Sequence, residues 1–149
     1  MTLVHKVIGS ASAVILAMQL AVAAESPQEQ RHELMEDVGG GAKTIGKMLE
    51  GEDPFDAGAA MAALQTWAAA ADEFGALFPE GSESGYDTEA KATIWSDREG
   101  FDAALQAWAE ATDAAISADP QDLESLQAVA GPVFKKCKAC HQDYRVEKE

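Results

Sequence analysis

The sequence predicts an all-α protein, an antiparallel four-helix bundle. Three observations lead there. Four stretches repeat apolar residues at spacings of three and four, the period of a helix with one buried face. Turn signals rich in glycine, proline and aspartate separate them. No stretch alternates as a strand does, and no repeat or low-complexity tract competes. Four such helices joined by short loops close into an up-down bundle.

The 149 residues suit one domain, and a 47% hydrophobic content is enough for a core. The formal net charge is −15, from 26 acids and 11 bases. Phosphate contacts need clustered cations, so this balance argues against a nucleic-acid partner. It also disfavours adhesion to anionic lipid.

The start of the chain reads as an export signal. Lys6 gives a short positive start, Val7 to Ala23 is apolar and small apart from Gln19, and Ala21-Val22-Ala23 is an A-x-A cleavage site. Residues 1–23 are therefore expected to be a cleaved signal peptide, and 24–149 the bundle. A membrane anchor is the alternative, but the apolar run is short for a span and polar residues follow at once. No second run is long enough to cross a bilayer, so no stable membrane insertion is expected.

The first helix runs roughly from Gln28 to Leu49, with Leu34, Val38, Ala42, Ile45 and Leu49 as its stripe. Gly39-Gly40-Gly41 interrupts it. Each glycine costs about 1 kcal/mol in a helix interior. The run marks either a break or the close approach of a ring or another helix to bare backbone. Gly51-Glu52-Asp53-Pro54 is a turn, with Asp53 as N-cap and Pro54 at the first position of the second helix. That helix buries Met61, Leu64, Trp67 or Ala68, Ala71, Phe74 and Phe78. Pro79 to Tyr86 is the longest polar loop. The third helix carries Ile94, Phe101, Leu105, Trp108, Ala111 or Thr112, and Ala115. Ala118-Asp119-Pro120 ends it, with Asp119 capping the fourth helix. The fourth carries Leu123, Leu126, Ala130, Val133, Phe134, Cys137, Cys140 or His141, and Tyr144. Pro132 inside it should kink it.

Cys137-Lys138-Ala139-Cys140-His141 contains both cysteines of the chain. C-x-x-C-H is the signature of covalent haem attachment. Two thiols add across the two vinyl groups of one haem, and the next residue brings an imidazole to the iron. On a helix Cys137 and His141 share a face. An exported chain could instead pair the cysteines in a disulfide, but a redox C-x-x-C normally sits beside a βαβ pattern, which is missing here. Zinc wants four ligands. Only His5 and His32 remain to join the motif, and His5 leaves with the signal.

The motif, placed near the carboxyl end of a four-helix bundle, resembles the class II c-type cytochromes, the cytochrome c′ family. KCKACHQDYR is similar to the family's attachment segment, and TEAKATIWSDREGF to its approach to the third helix. Arg31 and Met35 match the start of the first helix, and LMEDVGGGAKTIGKMLEGEDPFD resembles the low-spin branch. The run of three glycines departs from the pattern. The resemblance implies one haem c held by thioethers at Cys137 and Cys140, with His141 as proximal ligand to the iron. It implies Met35 at the distal face, an iron ligand in the low-spin branch. It places Arg31 near a haem propionate and Arg145 as the basic residue on the proximal side. Members occur as monomers and as homodimers built on their first two helices, so a homodimer stays open.

Each reading has a blander rival. A methionine in a helical stripe is usually core filler, as Met48 and Met61 are expected to be. A Met/His pair would suit a one-electron carrier; an open iron position would suit a protein that binds nitric oxide or carbon monoxide. Lys135, Lys136, Lys138, Arg145 and Lys148 fall in the last fifteen residues. They complement the negative end of the helix dipole, or form a rim that docks an acidic redox partner protein near the haem edge. The three tryptophans are expected to be core anchors. No nucleophile–base constellation points to an enzyme. The expectation is a periplasmic electron carrier, with gas binding as the alternative and a haem-free, disulfide-bonded bundle as a third reading.

Overall fold

Residues 25–147 of the computed structural model are described, and helices dominate them. The expected signal segment 1–23 and Lys148 lie outside these residues. Helix α1 spans Pro27–Glu50 and opens with a capping box. The Ser26 hydroxyl accepts the Glu29 N–H at 3.2 Å, and the Glu29 carboxylate accepts the Ser26 N–H at 2.9 Å. Two of the donors that every helix start leaves unpaired are thereby satisfied. Gly51, in the left-handed region at φ 74°, closes the helix.

The glycine run does not break α1. Gly41 instead marks the close approach: a Cβ there would stand 2.8 Å from Trp67 Nε1 and 3.3 Å from the Ala63 Cβ. Helix α2, Ala57–Phe74, therefore brings the Nε1 edge of Trp67 against bare backbone. The Trp67 indole donates to the Val38 carbonyl at 2.9 Å.

The cap of α2 is Asp56, which accepts the Ala59 N–H at 2.9 Å. Asp53 and Pro54, expected to start the helix, lie in the connecting loop. Asp56 wins because its own residue is extended (φ −132°) and its carboxylate reaches an unpaired N–H three residues on. A 3₁₀ turn, Gly75–Leu77, follows α2.

The expected third helix is split. A short α3, Thr93–Ser96, ends at Asp97, whose carboxylate caps α4, Arg98–Ser117, by accepting the Gly100 N–H at 3.2 Å. An aspartate that can bond its own neighbourhood interrupts a helix where it caps the next one. Helix α5, Leu123–Tyr144, is capped by Asp122, which accepts the Ser125 N–H at 2.7 Å. Asp119, expected in that role, sits in the turn at φ 46°. Pro132 lies inside α5, which continues through it.

Helices α1, α2, α4 and α5 form the four-helix bundle, with α1 on α2, α2 on α4, α4 on α5 and α5 against α1. Trp67, Phe101, Ile45, Leu64, Leu126 and Val133 are fully buried at its centre. Side chains of this kind stabilise by about 1.5–3 kcal/mol each when fully buried. Trp67 and Trp108 are core tryptophans as expected. Trp95 is half-buried and donates to the Pro79 carbonyl at 3.1 Å.

The end of α5 is clamped by the segment before α3. A helix leaves its last four carbonyls without partners. Here the Arg145 N–H takes the His141 carbonyl, Lys91 Nζ that of Gln142, Thr93 Oγ1 that of Asp143, and the Lys91 N–H that of Tyr144. An isolated bridge between Ala90 and Arg145 and an ion pair between Arg145 and Glu89 extend the clamp. The turn that carries the C-x-x-C-H motif is fixed in this way.

Candidate cofactor site

A cavity of about 690 Å³ opens between α1, α4 and α5. That volume lies in the range of roughly 300–1,000 Å³ typical of sites for organic ligands. All five residues singled out in the sequence, Arg31, Met35, Cys137, Cys140 and His141, line it. Helix α5 contributes Cys137, Cys140 and His141 because residues three and four apart share a helical face. Helix α1 contributes Arg31 and Met35 for the same reason.

Both thiols are free and half-buried. Burial pushes the Cys137 thiol up. The Cys140 thiol is pushed up to about 11, first by burial and then by neighbouring Cys137 and Asp143. Both sulfurs therefore keep their protons at neutral pH, the form that adds as S–H across a vinyl double bond. The His141 imidazole is held below its ordinary value, mainly by partial desolvation and next by the Arg145 guanidinium. It is neutral at pH 7, and a neutral ring nitrogen is what a metal needs.

The walls are apolar. Phe101, Leu105 and Trp108 come from α4, Val38 and Ala42 from α1, and Phe134 from α5. The Trp108 indole N–H is buried without a hydrogen-bond partner among the described residues. Met35 is half-buried on the α1 wall, whereas Met48 is 4% exposed in the core.

Arg31 is placed differently from its neighbours. It is 5% exposed. Its Nη1 donates to the Leu77 carbonyl at 3.0 Å and to Ser82 Oγ at 3.1 Å. Its Nη2 donates to the Ser82 carbonyl at 2.8 Å and to Thr88 Oγ1 at 3.2 Å. The guanidinium carbon stands 4.6 Å from the centre of the Phe78 ring, a cation–π arrangement. Four of its five N–H groups are thus committed to the loop between α2 and α3. One N–H is left over from these contacts.

The sequence named the motif but not the cavity wall. Phe101, Leu105 and Trp108 were legible as a helical stripe, and period alone does not separate a stripe facing a core from one facing a void. Tyr86 and Asp87 also line the mouth, at φ 45° and 49°. Their only sequence signal is the glycine before them. Lys135, Lys136 and Lys138 are exposed on α5, and Lys136 reaches the cavity rim.

The donor set fits one covalently held haem. Two protonated thiols and a neutral imidazole come from one stretch of helix, and the cavity they border is apolar and of organic-ligand size. Comparison with known proteins agrees. A family described as Cytochrome C′ matches residues 26–145. A cytochrome c′ of Rhodopseudomonas palustris is 37% identical over 141 residues, covering 93% of this chain and 94% of its own. A cytochrome c-556 of the same organism is 30% identical, covering 91% and 93%. The solved structure of cytochrome c′ from Rhodopseudomonas palustris superposes with a TM-score of 0.80 at 35% identity, covering 84% of this chain and 99% of that one.

Proposed function

This chain belongs to the cytochrome c′ family, whose members bind one covalent haem c, and from that premise we propose a one-electron carrier in which His141 and Met35 would hold the iron. The observation that carries the proposal is that Met35, from α1, lines the same cavity as the thiols and imidazole of α5.

When bound, haem supplies a one-electron couple. The chain's own groups do the rest. Cys137 and Cys140 would hold the haem by thioether bonds, since addition of S–H across a vinyl double bond needs no leaving group. His141 offers a neutral nitrogen from a turn whose carbonyls are all taken. The apolar walls exclude water, so little solvent has to reorganise when charge changes. A thioether ligand from Met35 would favour the reduced state and so raise the potential. Lys135, Lys136 and Lys138 present an exposed cationic face beside the rim, suited to steering an acidic redox partner protein. Residues 1–23 act as an export signal, and the mature protein works in the periplasm.

The test is spectroscopic. The ferric protein is expected to be low-spin, with a weak near-infrared sulfur-to-iron band. Met35→Ala is expected to turn it high-spin and open it to carbon monoxide. A wild-type protein that is already high-spin and binds carbon monoxide readily would overturn the carrier reading in favour of a five-coordinate gas binder.

A further inference from the structure

The clamp at the end of α5 also brings two opposite charges to the cavity. Glu89 and Arg145 both line it, and their side chains form an ion pair. Arg145 follows His141 by four residues, and its N–H takes the His141 carbonyl at 3.1 Å. The fields of the guanidinium and the carboxylate both reach the His141 imidazole, with opposite signs.

Main-chain bonds set the two residues opposite each other. The Val146 N–H donates to the Glu89 carbonyl at 2.7 Å, and the Lys91 N–H to the Tyr144 carbonyl at 2.9 Å. Ala90 and Arg145 form the antiparallel bridge between them. Any residue at position 89 would keep these bonds. What the Glu89 side chain adds is charge. Arg145 is exposed and Glu89 half-buried, and ion pairs open to water add little to stability. Their charges still act on a neighbouring redox centre. Ferric iron carries one more positive charge than ferrous iron. A cation nearby therefore raises the reduction potential, and an anion nearby lowers it.

We propose that Glu89 is a positioning residue that sets the reduction potential, by holding the Arg145 guanidinium and offsetting its charge beside His141. The inference rests on the haem reading above, and it concerns the His141 side of the site rather than the α1 side. With both charges present, their effects on the iron largely cancel. Loss of either one leaves the other uncompensated, so the two single losses push the potential in opposite directions.

The experiment measures midpoint potentials of the haem-loaded protein by spectroelectrochemistry, at low and at high ionic strength. Glu89→Gln is expected to shift the midpoint upward and Arg145→Gln downward. The double variant is expected to return toward the wild-type value. Arg145→Lys keeps the positive charge and stays closer to wild type than Arg145→Gln. Added salt shrinks all of these separations, because it shortens the range of exposed charges. Glu89→Ala serves in place of Glu89→Gln if that variant loads haem poorly. A merely structural role for the pair would move both single variants in the same direction, with no dependence on salt. That result, or a Glu89→Gln midpoint equal to wild type at low salt, would overturn the proposal. Failure of the underlying reading looks different: the wild-type protein itself would carry no covalent haem and show no haem midpoint.

Discussion

Gly41→Ala tests how α1 and α2 meet. In an isolated helix the change would stabilise by about 1 kcal/mol. Here the new methyl would stand 2.8 Å from Trp67 Nε1 and 3.3 Å from the Ala63 Cβ. Trp67 has little freedom to yield. It is fully buried, its indole donates to Val38 at 2.9 Å, and its ring meets Phe134 edge-on at 5.5 Å. Overpacking a core costs about 1–3 kcal/mol, and stranding a buried N–H costs about 1–3 kcal/mol more. After the propensity gain, the expected net loss is about 1–5 kcal/mol. The assay is urea unfolding of the haem-loaded protein followed by far-UV circular dichroism. Gly40→Ala, with nothing within 4 Å, should gain about 0.5–1 kcal/mol. Trp67→Phe removes the atom that is struck, so Gly41→Ala should cost much less in that background, a coupling read from the double-mutant cycle. Equal or greater stability for Gly41→Ala, or additive behaviour with Trp67→Phe, would refute this account of the contact.

Two further predictions follow from side-chain geometry. Arg31→Ala removes four hydrogen bonds to the loop between α2 and α3. Hydrogen bonds from a charged group are worth about 1.5–3 kcal/mol each but do not add fully, so a loss of about 3 kcal/mol is expected. Limited proteolysis should then cut between residues 79 and 88 first, and a cleavage pattern like the parent's would contradict the anchoring role. The second concerns acid. Bonding to the Ser125 N–H and hydroxyl holds the Asp122 carboxyl below its ordinary value of 3.8. A lowered folded value stabilises above the unfolded pKa and is lost as pH falls through the folded one. The Tm difference between wild type and Asp122→Ala should therefore be constant above about pH 4 and shrink below it. A difference independent of pH would count against this cap.

What could be read from the sequence divides along physical lines. That Cys137, Cys140 and His141 share one cavity wall was legible because one helical turn preserves local spacing. The helices were legible because burial of one face imposes a period. Their starts were less so. Asp53-Pro54 and Asp119-Pro120 each looked like a cap followed by a first helical residue, yet the caps are Asp56 and Asp122, three residues later in both cases. A proline suits a turn as well as a helix start, and the choice falls to the aspartate whose carboxylate meets an unpaired N–H. Gly41 is explained only by Trp67 on another helix. Arg31 is explained only by a loop about fifty residues away folding back over it. Contacts of that range leave no periodic trace.

The central claim, that one haem is bonded to α5 through Cys137 and Cys140, is tested most directly by the intact mass of the exported protein under denaturing conditions. The account predicts the polypeptide from residue 24 or 25 onward plus one haem, with red colour that survives acid–acetone extraction and is lost from a Cys137→Ala, Cys140→Ala double variant. A colourless protein whose mass is that of the polypeptide alone would contradict it.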